Sequence, residues 1–434
     1  MKPVPSPSKF PLLALLLLMA AASAPATAFE SSWSGFGTLG YARSDRPYTY
    51  QRFISDRGTV ERDSILGLQL DGKLGDTLSF TVQGKLAAAT DSDSGARASI
   101  AWGNLSWRPT NDLLFRAGKF RVPLYLHSET SDVGVTFDLA RLPAEVYSQS
   151  PTDDFTGLAA SKTWNFGHGE LVLDGYWGRA RTILRAWFRD DLPPVRAAGA
   201  QYLPISVEML GLAATWRRGE DSFRLGLTRA IATSRSPLLF VRRFPFIAIP
   251  GLPGVGYYQT VDGVPGLPLA DDLEIPLLTL GADVMTASGI RVVGEFGRRI
   301  VRGSELGYNS SGAYLALLRP SGRWTPYLSA AALRSTSGNR ATYAALNENR
   351  VPDFIPDAAL INALQRAGAD SAATFDQTSL AVGTSYALSP RQKLKAEWQH
   401  VRIGEVSALV DALPGTDVRR QGIHLVSLSY SFVF

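Results

Sequence analysis

Apolar and polar residues alternate in many short segments of this 434-residue chain. In residues 392–405, for example, Leu394, Ala396 and Trp398 share one parity, and lysine or glutamate occupies the positions between them. Successive side chains of a β-strand point to opposite faces, so each such segment predicts a strand with one oily and one charged face. The repeated alternation restricts the chain to an all-β fold.

We predict sixteen strands, and the connections between them alternate between short and long. The short connections, such as GDT, PTN and PSGR, contain the Gly, Pro, Ser and Asn residues that turns require. Short turns at one end and long loops at the other are typical of an outer-membrane barrel, whose closure satisfies every backbone hydrogen bond in lipid. The predicted fold is therefore a sixteen-stranded antiparallel transmembrane β-barrel with short periplasmic turns and long external loops. Its strands are expected at 33–43, 64–74, 78–88, 98–108, 113–120, 156–164, 169–181, 206–217, 221–232, 273–285, 290–301, 309–319, 324–335, 375–387, 392–405 and 422–434.

The first 28 residues have the features of an export signal. Lys2 and Lys9 precede the apolar run 10–22, and the small residues Ala26-Thr27-Ala28 follow it. The run is too short for a membrane helix, and no later segment has 18 consecutive apolar residues. We expect residues 1–28 to be a cleaved signal peptide and residues 29–434 to form one barrel domain in a bacterial outer membrane.

Composition argues against several other classes of function. The formal net charge of +5 includes Lys2 and Lys9, so cleavage leaves +3, which is too small a surplus to indicate nucleic-acid binding. The chain has no cysteine, and its four histidines do not occur at metal-ligand spacing, so we predict neither a metal site nor a cofactor.

Two local motifs have plain structural interpretations. Residues 35–40 spell GxGxxG, but they lie inside the first strand and precede a loop, so we interpret these glycines as easing strand curvature. His127, Ser128 and Glu129 are adjacent, whereas a catalytic triad draws its members from distant parts of a chain. His400 and His424 share parity with the lipid-facing residues. We therefore expect no enzymatic activity.

The connection 121–155 is long and mixes carboxylates with apolar residues such as Leu124, Leu126 and Phe137. A loop folded back into the barrel would pack its apolar residues on the wall and turn its carboxylates toward water. An arginine on the lipid face at mid-membrane costs about 2–4 kcal/mol, so arginines within oily strands should point inward. Loop carboxylates opposite basic wall residues would create a transverse field, although scattered lumen charges would also serve simple solvation. The predicted acidic residues are Glu129, Asp132 and Asp138, and the predicted basic wall residues are Lys85, Arg116, Arg224, Arg291 and Lys395.

Aromatic residues cluster beside the short turns and at the carboxyl terminus. Trp107, Trp164, Trp216 and Trp324 all adjoin a short turn, which predicts one aromatic ring at the periplasmic interface. In the last strand, Tyr430, Phe432 and Phe434 alternate with serines and should face lipid.

These features together resemble the sixteen-stranded bacterial porins along essentially the whole mature chain. The segment GKFRVPLY, residues 118–125, is also similar to the strand end and proline turn of the phosphate-selective porins, whereas the PEFGG motif of the enterobacterial general porins is absent. The resemblance implies a homotrimer of water-filled pores, a third external loop that forms the constriction, and passive diffusion of small hydrophilic solutes. It also implies that Tyr430, Phe432 and Phe434 are a signal for the barrel-assembly machinery.

Two alternatives stay open. The first is a substrate-selective channel of the same fold, for an anion or a small organic solute. The second is a plugged structural barrel. The loop 233–272 is unusually rich in proline and apolar residues. It is compatible with plugging the mouth, packing in a trimer or guiding an apolar solute.

Overall fold

The alternating segments form the strands of one closed antiparallel barrel, in which every strand pairs with its neighbours along the chain. The computed structural model describes residues 30–192, 197–261, 263, 266–305 and 307–434, so the predicted signal peptide 1–28 lies outside the described residues. The sixteen-stranded fold is confirmed. The strands are β1 (Glu30–Ser44), β2 (Ile65–Lys73), β3 (Leu78–Ala88), β4 (Ala96–Thr110), β5 (Leu113–Arg121), β6 (Asp154–Phe166), β7 (Gly169–Phe188), β8 (Gly199–Arg218), β9 (Asp221–Ser234), β10 (Asp272–Met285), β11 (Arg291–Arg299), β12 (Ser310–Leu318), β13 (Trp324–Ser335), β14 (Phe375–Ser389), β15 (Gln392–Ser407) and β16 (Gly422–Val433).

The outer surface of the barrel is apolar and the inner surface is polar. Leu39, Leu158 and Leu212 are each more than half exposed, as are many other large apolar residues at outward-facing positions. A soluble protein rarely exposes so much contiguous apolar surface, whereas a barrel in lipid requires it. The barrel therefore carries the surface of a membrane-spanning protein. No helix in the described part of the chain has the length and apolar character needed to cross a bilayer.

The four tryptophans predicted to form a ring lie at the end of the barrel that carries the short turns. Trp107 stacks on Phe115 at a centroid distance of 5.4 Å, and Trp324 lies 4.6 Å from Tyr386. Trp107, Trp164 and Trp324 are at least 40% exposed. Indole and phenol rings are favoured at a membrane interface because each has one apolar and one polar edge.

Strands β7 and β8 are much longer than the sequence predicts. β7 continues to Phe188 rather than ending at 181, and β8 begins at Gly199 rather than 206. The added part of β7, TILRAWF, has no alternation because beyond the lipid its two faces contact other parts of the protein. Arg185 binds Asp93 and Asp411, and the Trp187 indole N–H donates to the Ala412 carbonyl at 2.8 Å.

In the described part of the chain, three α-helices and three short two-stranded sheets form within and between the long loops. The connection 336–374 contains α2 (Ser337–Glu348) and α3 (Ala358–Ser371), and a one-turn helix α1 (Ala144–Tyr147) lies in the loop after β5. The short sheets pair Thr49–Tyr50 with Val410–Asp411, Phe240–Val241 with Leu269–Ala270, and Phe246–Ala248 with Gly256–Tyr258.

The helices α2 and α3 were not predicted from the sequence. The Thr336 side chain caps α2 by accepting the Asn339 N–H. Both helices are short, and their few buried apolar residues, including Tyr343, Leu346 and Ala369, pack on Phe244 of the loop 233–272. The loop 233–272 therefore lies against α2 and α3, which together form a helical hairpin at the end of the barrel that carries the long loops.

Candidate functional site

The loop between β5 and β6, residues 122–153, lies inside the barrel and is held at points far apart on the wall. The Leu124 carbonyl accepts the Thr279 hydroxyl of β10 at 2.9 Å, and the Ala140 N–H donates to the Tyr327 hydroxyl of β13 at 2.9 Å. Gly134 packs against Thr38 of β1 and Ser431 of β16. Since these strands lie on different sides of the barrel, the loop crosses the lumen.

One buried carboxylate fixes the first part of this loop to the wall. Glu295 of β11 accepts the Leu126 N–H at 2.7 Å, the Tyr147 hydroxyl at 2.7 Å and the Tyr314 hydroxyl at 2.8 Å. Glu295 is 4% exposed, so these donors replace the water it would otherwise bind. Glu295 alternates with Gly294 and Phe296, which fits its inward direction, but its partners could not be read from the sequence.

Each of the three predicted loop carboxylates lies opposite a basic residue of the wall. Glu129 approaches Arg116 at 3.5 Å, and Asp132 binds Lys85 at 2.9 Å. Asp132 also contacts Arg121, and Asp138 binds Lys393 at 2.7 Å. Lys85 and Arg116 were predicted from the sequence, whereas Arg121 and Lys393 were missed. Lys393 and Lys395 lie on either side of the outward-facing Leu394, so the alternation that predicted an inward Lys395 also predicts an inward Lys393.

The other predicted basic residues point inward but have different partners. Arg224 binds the Thr215 hydroxyl at 2.7 Å and the carbonyl of Pro123 in the loop. Lys395 donates to the Leu139 carbonyl of the loop at 2.9 Å. Arg291 pairs with Asp283 of the neighbouring strand, where its Nε lies 2.6 Å from Oδ1. Both described side-chain hydrogen bonds of Arg291 go to Asp283, and neither goes to the loop.

A cavity of about 630 Å³ lies between this loop, the wall and the external loops. Thr38, Ser99 and Ser431 contribute hydroxyl groups to its surface. Eight basic side chains line the cavity against four acidic ones, so the wall carries a positive surplus. The basic residues are Arg52, Arg62, Lys85, Arg97, Arg121, Arg141, Arg185 and Lys395, and the acidic residues are Asp63, Asp132, Asp153 and Asp411.

Ion pairs connect the helical hairpin to the end of β7 beside the cavity mouth. The Arg189 Nε lies 2.7 Å from Asp370 of α3, and the Arg366 Nε lies 2.8 Å from Asp190. Burial raises the pKa of Asp370 to about 6, although Arg189 opposes this shift. Tyr258 of the loop 233–272 donates its backbone N–H to Gln365 of α3 at 2.8 Å. The hairpin, this loop and β7 thus form one packed unit.

The first and last strands join through aromatic rings laid over glycines. Gly37 pairs with Phe432, and a Cβ atom at Gly37 would lie 2.6 Å from the Phe432 ring. A Cβ atom at Gly35 would lie still closer to the ring of Phe434, with which Gly35 exchanges two backbone hydrogen bonds of 3.0 Å. These two glycines make room for the terminal rings, a role that their interpretation as curvature residues did not include.

The histidines that were weighed as catalytic candidates have structural surroundings. The His127 ring lies 5.8 Å from that of Phe137, and the Ser128 hydroxyl accepts the Tyr125 N–H at 2.8 Å. The rings of His400 and His424 lie 4.6 Å apart and are tilted by 35°, and the Trp398 ring stacks on His424 at 5.6 Å. Among the described residues, no three His, Cys, Asp or Glu side chains are grouped so that they could hold a metal ion.

Comparison with known proteins finds likeness in structure only. No protein-family model and no curated protein matches the chain. OprB of Pseudomonas putida aligns with a TM-score of 0.51 at 9% identity, over 98% of this chain and 97% of its own. OmpT of Vibrio cholerae, described as outer-membrane expressed, aligns with a TM-score of 0.49 at 10% identity, over 95% and 99%. An anion-selective porin of Comamonas acidovorans aligns with a TM-score of 0.48 at 12% identity, over 94% and 100%.

Structural alignments at sequence identities this low support a shared fold and give no information about the solute that this protein transports. The alignment with OprB extends over nearly the whole of both chains, and the strand number, the closed order and the apolar exterior are properties of this chain itself. The chain forms a closed sixteen-stranded antiparallel barrel whose fold is similar to that of OprB.

Proposed function

We propose that the protein is a porin that lets small hydrophilic solutes diffuse passively across a bacterial outer membrane. The observation that carries this proposal is the loop 122–153, which is held inside the barrel beside a cavity of about 630 Å³ with charged walls. A purely structural barrel would not need unpaired charged side chains in its interior, because a buried charge is costly unless it is solvated or paired. Transport would select solutes by width and charge, without covalent chemistry, and we propose no enzymatic activity.

The proposed constriction consists of the loop carboxylates and the basic wall. Glu129, Asp132 and Asp138 would form its acidic side. The transverse field between the acidic loop and the basic wall would orient dipolar solutes in the adjoining cavity. The proposed basic side comprises Lys85, Arg116, Arg224, Arg291 and Lys395, together with Arg121 and Lys393.

A second candidate, a channel selective for anions, is favoured by the excess of basic over acidic side chains around the cavity. A plugged structural barrel is the remaining alternative, and a measurement of conductance separates it from both channels.

We also propose the partners that such a barrel requires. The exposed apolar belt would contact outer-membrane lipid, and part of it would be covered in a homotrimer. OmpT of Vibrio cholerae, which aligns with a TM-score of 0.47, has been solved in a trimer form. The end of the chain, with Tyr430 and Phe432 of β16 and Phe434 after it, would be recognised by the barrel-assembly machinery.

Recording from purified protein in a planar bilayer tests the channel. Folded protein should produce stepwise increases in conductance, because each insertion adds one set of aqueous pores. The folded state is checked separately by the shift in gel mobility between unheated and boiled samples. A bilayer that stays sealed after insertion of folded protein would contradict the proposal and favour the plugged barrel.

A triple variant tests the constriction. Glu129→Gln, Asp132→Asn and Asp138→Asn together should move the reversal potential in a salt gradient toward the equilibrium potential of the anion, because three negative charges leave the narrowest part. The control is Glu208→Gln with Glu274→Gln, which removes charge from the outward face of β8 and β10 and should leave the reversal potential unchanged. An unchanged potential in the triple variant would contradict the assignment of the constriction.

A further inference from the structure

At the inner end of the cavity, next to the loop 122–153, the ion pairs have more basic than acidic members. Asp132 pairs with both Lys85 and Arg121. Asp63, in the loop before β2, pairs with Arg141 and lies 3.8 Å from Arg62. Each of these two groups thus has one more basic than acidic side chain, and Asp153 is a further carboxylate of the cavity wall.

Lys395 adds a further positive charge to the same region. It is 4% exposed, and its ammonium lies 3.8 Å from the centre of the Phe137 ring and 2.9 Å from the Leu139 carbonyl. Within the described part of the chain, no ion pair joins Lys395 to a carboxylate within 4.0 Å, although Lys393 two residues earlier binds Asp138. Lys395 thus has a carbonyl and an aromatic ring face as partners but no ion pair, and it lies at a cavity wall where an anionic group would complete its pairing.

Arg141 presents an unused donor in the same region. Its Nε and Nη2 bind the two oxygens of Asp63, and Nη2 also binds the Ser427 hydroxyl. The Nη1 atom is buried and has no hydrogen-bond partner, and the side chain of Arg141 is only 9% exposed. Buried donors without partners are rare in folded proteins. A solute oxygen at the cavity wall would satisfy this one.

The rest of the cavity surface indicates what accompanies the anionic group. Phe53, Ala87, Leu142 and Leu184 line the cavity together with the basic residues. The Thr38 and Ser431 hydroxyls, 2.9 Å apart, lie on the same surface. Guanidinium and ammonium groups bind carboxylates through charge-assisted hydrogen bonds, and apolar side chains accommodate a hydrocarbon body.

We propose that the inner end of the cavity is a binding site for a small organic carboxylate, with Arg141 and Lys395 as its principal donors and Lys85 and Arg121 as flanking charges. This inference rests on the proposed channel function and adds the class of solute to it. A solute that binds weakly at this point would be enriched in the pore, since conduction requires binding that is favourable but reversible.

Calorimetric titration of the folded protein in detergent tests the site with three probes: benzoate, its uncharged analogue benzamide, and inorganic phosphate. Benzoate should bind at least about tenfold more tightly than benzamide, because only the carboxylate meets the basic residues. Equal affinity for the two, or absence of benzoate binding, would overturn the proposal. Tighter binding of phosphate than of benzoate would also overturn it and assign the site to phosphate.

The matched variants are Lys395→Gln and Lys73→Gln, which each remove one lysine charge, the second from the exposed end of β2. The first should weaken benzoate binding about tenfold, and the second less than about twofold, because Lys73 is not among the residues that line the cavity and pairs with Glu30. Equal effects of the two variants would contradict a specific site. Gel mobility of unheated samples checks that both variants fold.

The outcomes of this test are distinct from those of the conductance test. A protein that conducts ions but fails to bind benzoate would contradict only this inference. A protein that binds benzoate through Lys395 but leaves the bilayer sealed would contradict only the channel function.

Discussion

At the scale of single residues, glycines opposite aromatic rings recur around the barrel. Phe36 lies over Gly67, Tyr176 over Gly211, Tyr327 over Gly383 and Phe432 over Gly37, and in every case the two residues are direct cross-strand partners. A ring that covers a glycine shields the backbone of the neighbouring strand and fills space that a side chain would otherwise occupy. Packing at these positions therefore depends on the absence of a Cβ atom.

We predict that Gly37→Ala destabilises the barrel by about 1–3 kcal/mol, because the added methyl group would displace the Phe432 ring. Removing the ring as well, in Gly37→Ala with Phe432→Ala, should cost less than the sum of the two single changes. Equilibrium unfolding in urea measures all three variants. Gly84→Ala is the control, since a Cβ atom there would approach only the Ser99 carbonyl, at 4.0 Å. Additive effects of the two changes would contradict the packing account.

At the scale of elements, strands could be predicted from the sequence far better than the segments outside the membrane. Lipid on one side and polar groups on the other impose alternation, so all sixteen strands were found. The outer ends of β7 and β8 and the helices α2 and α3 lie where this constraint no longer applies. Their packing partners come from other loops, as with Gln365 and Tyr258, and sequence periodicity does not reveal such contacts.

In the candidate site, the sequence likewise predicted which way a side chain points but not which residue it contacts. The inward direction of Lys85, Arg116 and Lys395 followed from alternation or from the cost of charge in lipid. The pairing of Arg141 with Asp63 joins residues 78 positions apart through a loop that leaves the wall and returns to it. Only the three-dimensional path of residues 122–153 identifies such pairs, and for that reason Arg121 and Arg141 were not predicted.

A prediction about the loop concerns Glu295. Glu295→Ala would leave the Leu126 N–H and two tyrosine hydroxyls without their acceptor, so the first part of the loop should move more freely. We expect larger current noise in single-channel recordings and faster proteolytic cleavage within residues 122–153. Asp71→Ala is the control, because the described hydrogen bonds of this inward carboxylate come from the wall residues Gln69 and Thr81. Equal noise in both variants would contradict the role of Glu295.

At the scale of the whole molecule, the barrel is complete only when β1 and β16 pair. Their register extends from Phe36 with Val433 to Ser44 with Leu425, and Phe434 adds two further backbone hydrogen bonds with Gly35. The chain ends are thus joined at the end of the barrel with the short turns. Closure removes the last unpaired strand edges, which lipid would not tolerate.

Deletion of Phe434 should lower the amount of folded barrel in the outer membrane, because it removes those two hydrogen bonds and the ring that covers Gly35. The fraction of heat-modifiable protein in isolated outer membranes measures this effect. Phe166→Leu, which changes another exposed aromatic residue beside a short turn, should assemble normally. Normal assembly after the deletion would reduce Phe434 to an ordinary strand residue.

The loop 122–153 also has a mechanical consequence. On one side it is tied to β3 through Asp132 and Lys85, and on the other to β10 and β11 through Leu124 and Glu295. A loop that is bound to opposite walls of the barrel limits how far these walls can move relative to each other. The loop 122–153 therefore opposes flattening of the barrel. We therefore expect the cross-section of the barrel to stay the same under lateral tension in membranes of different composition.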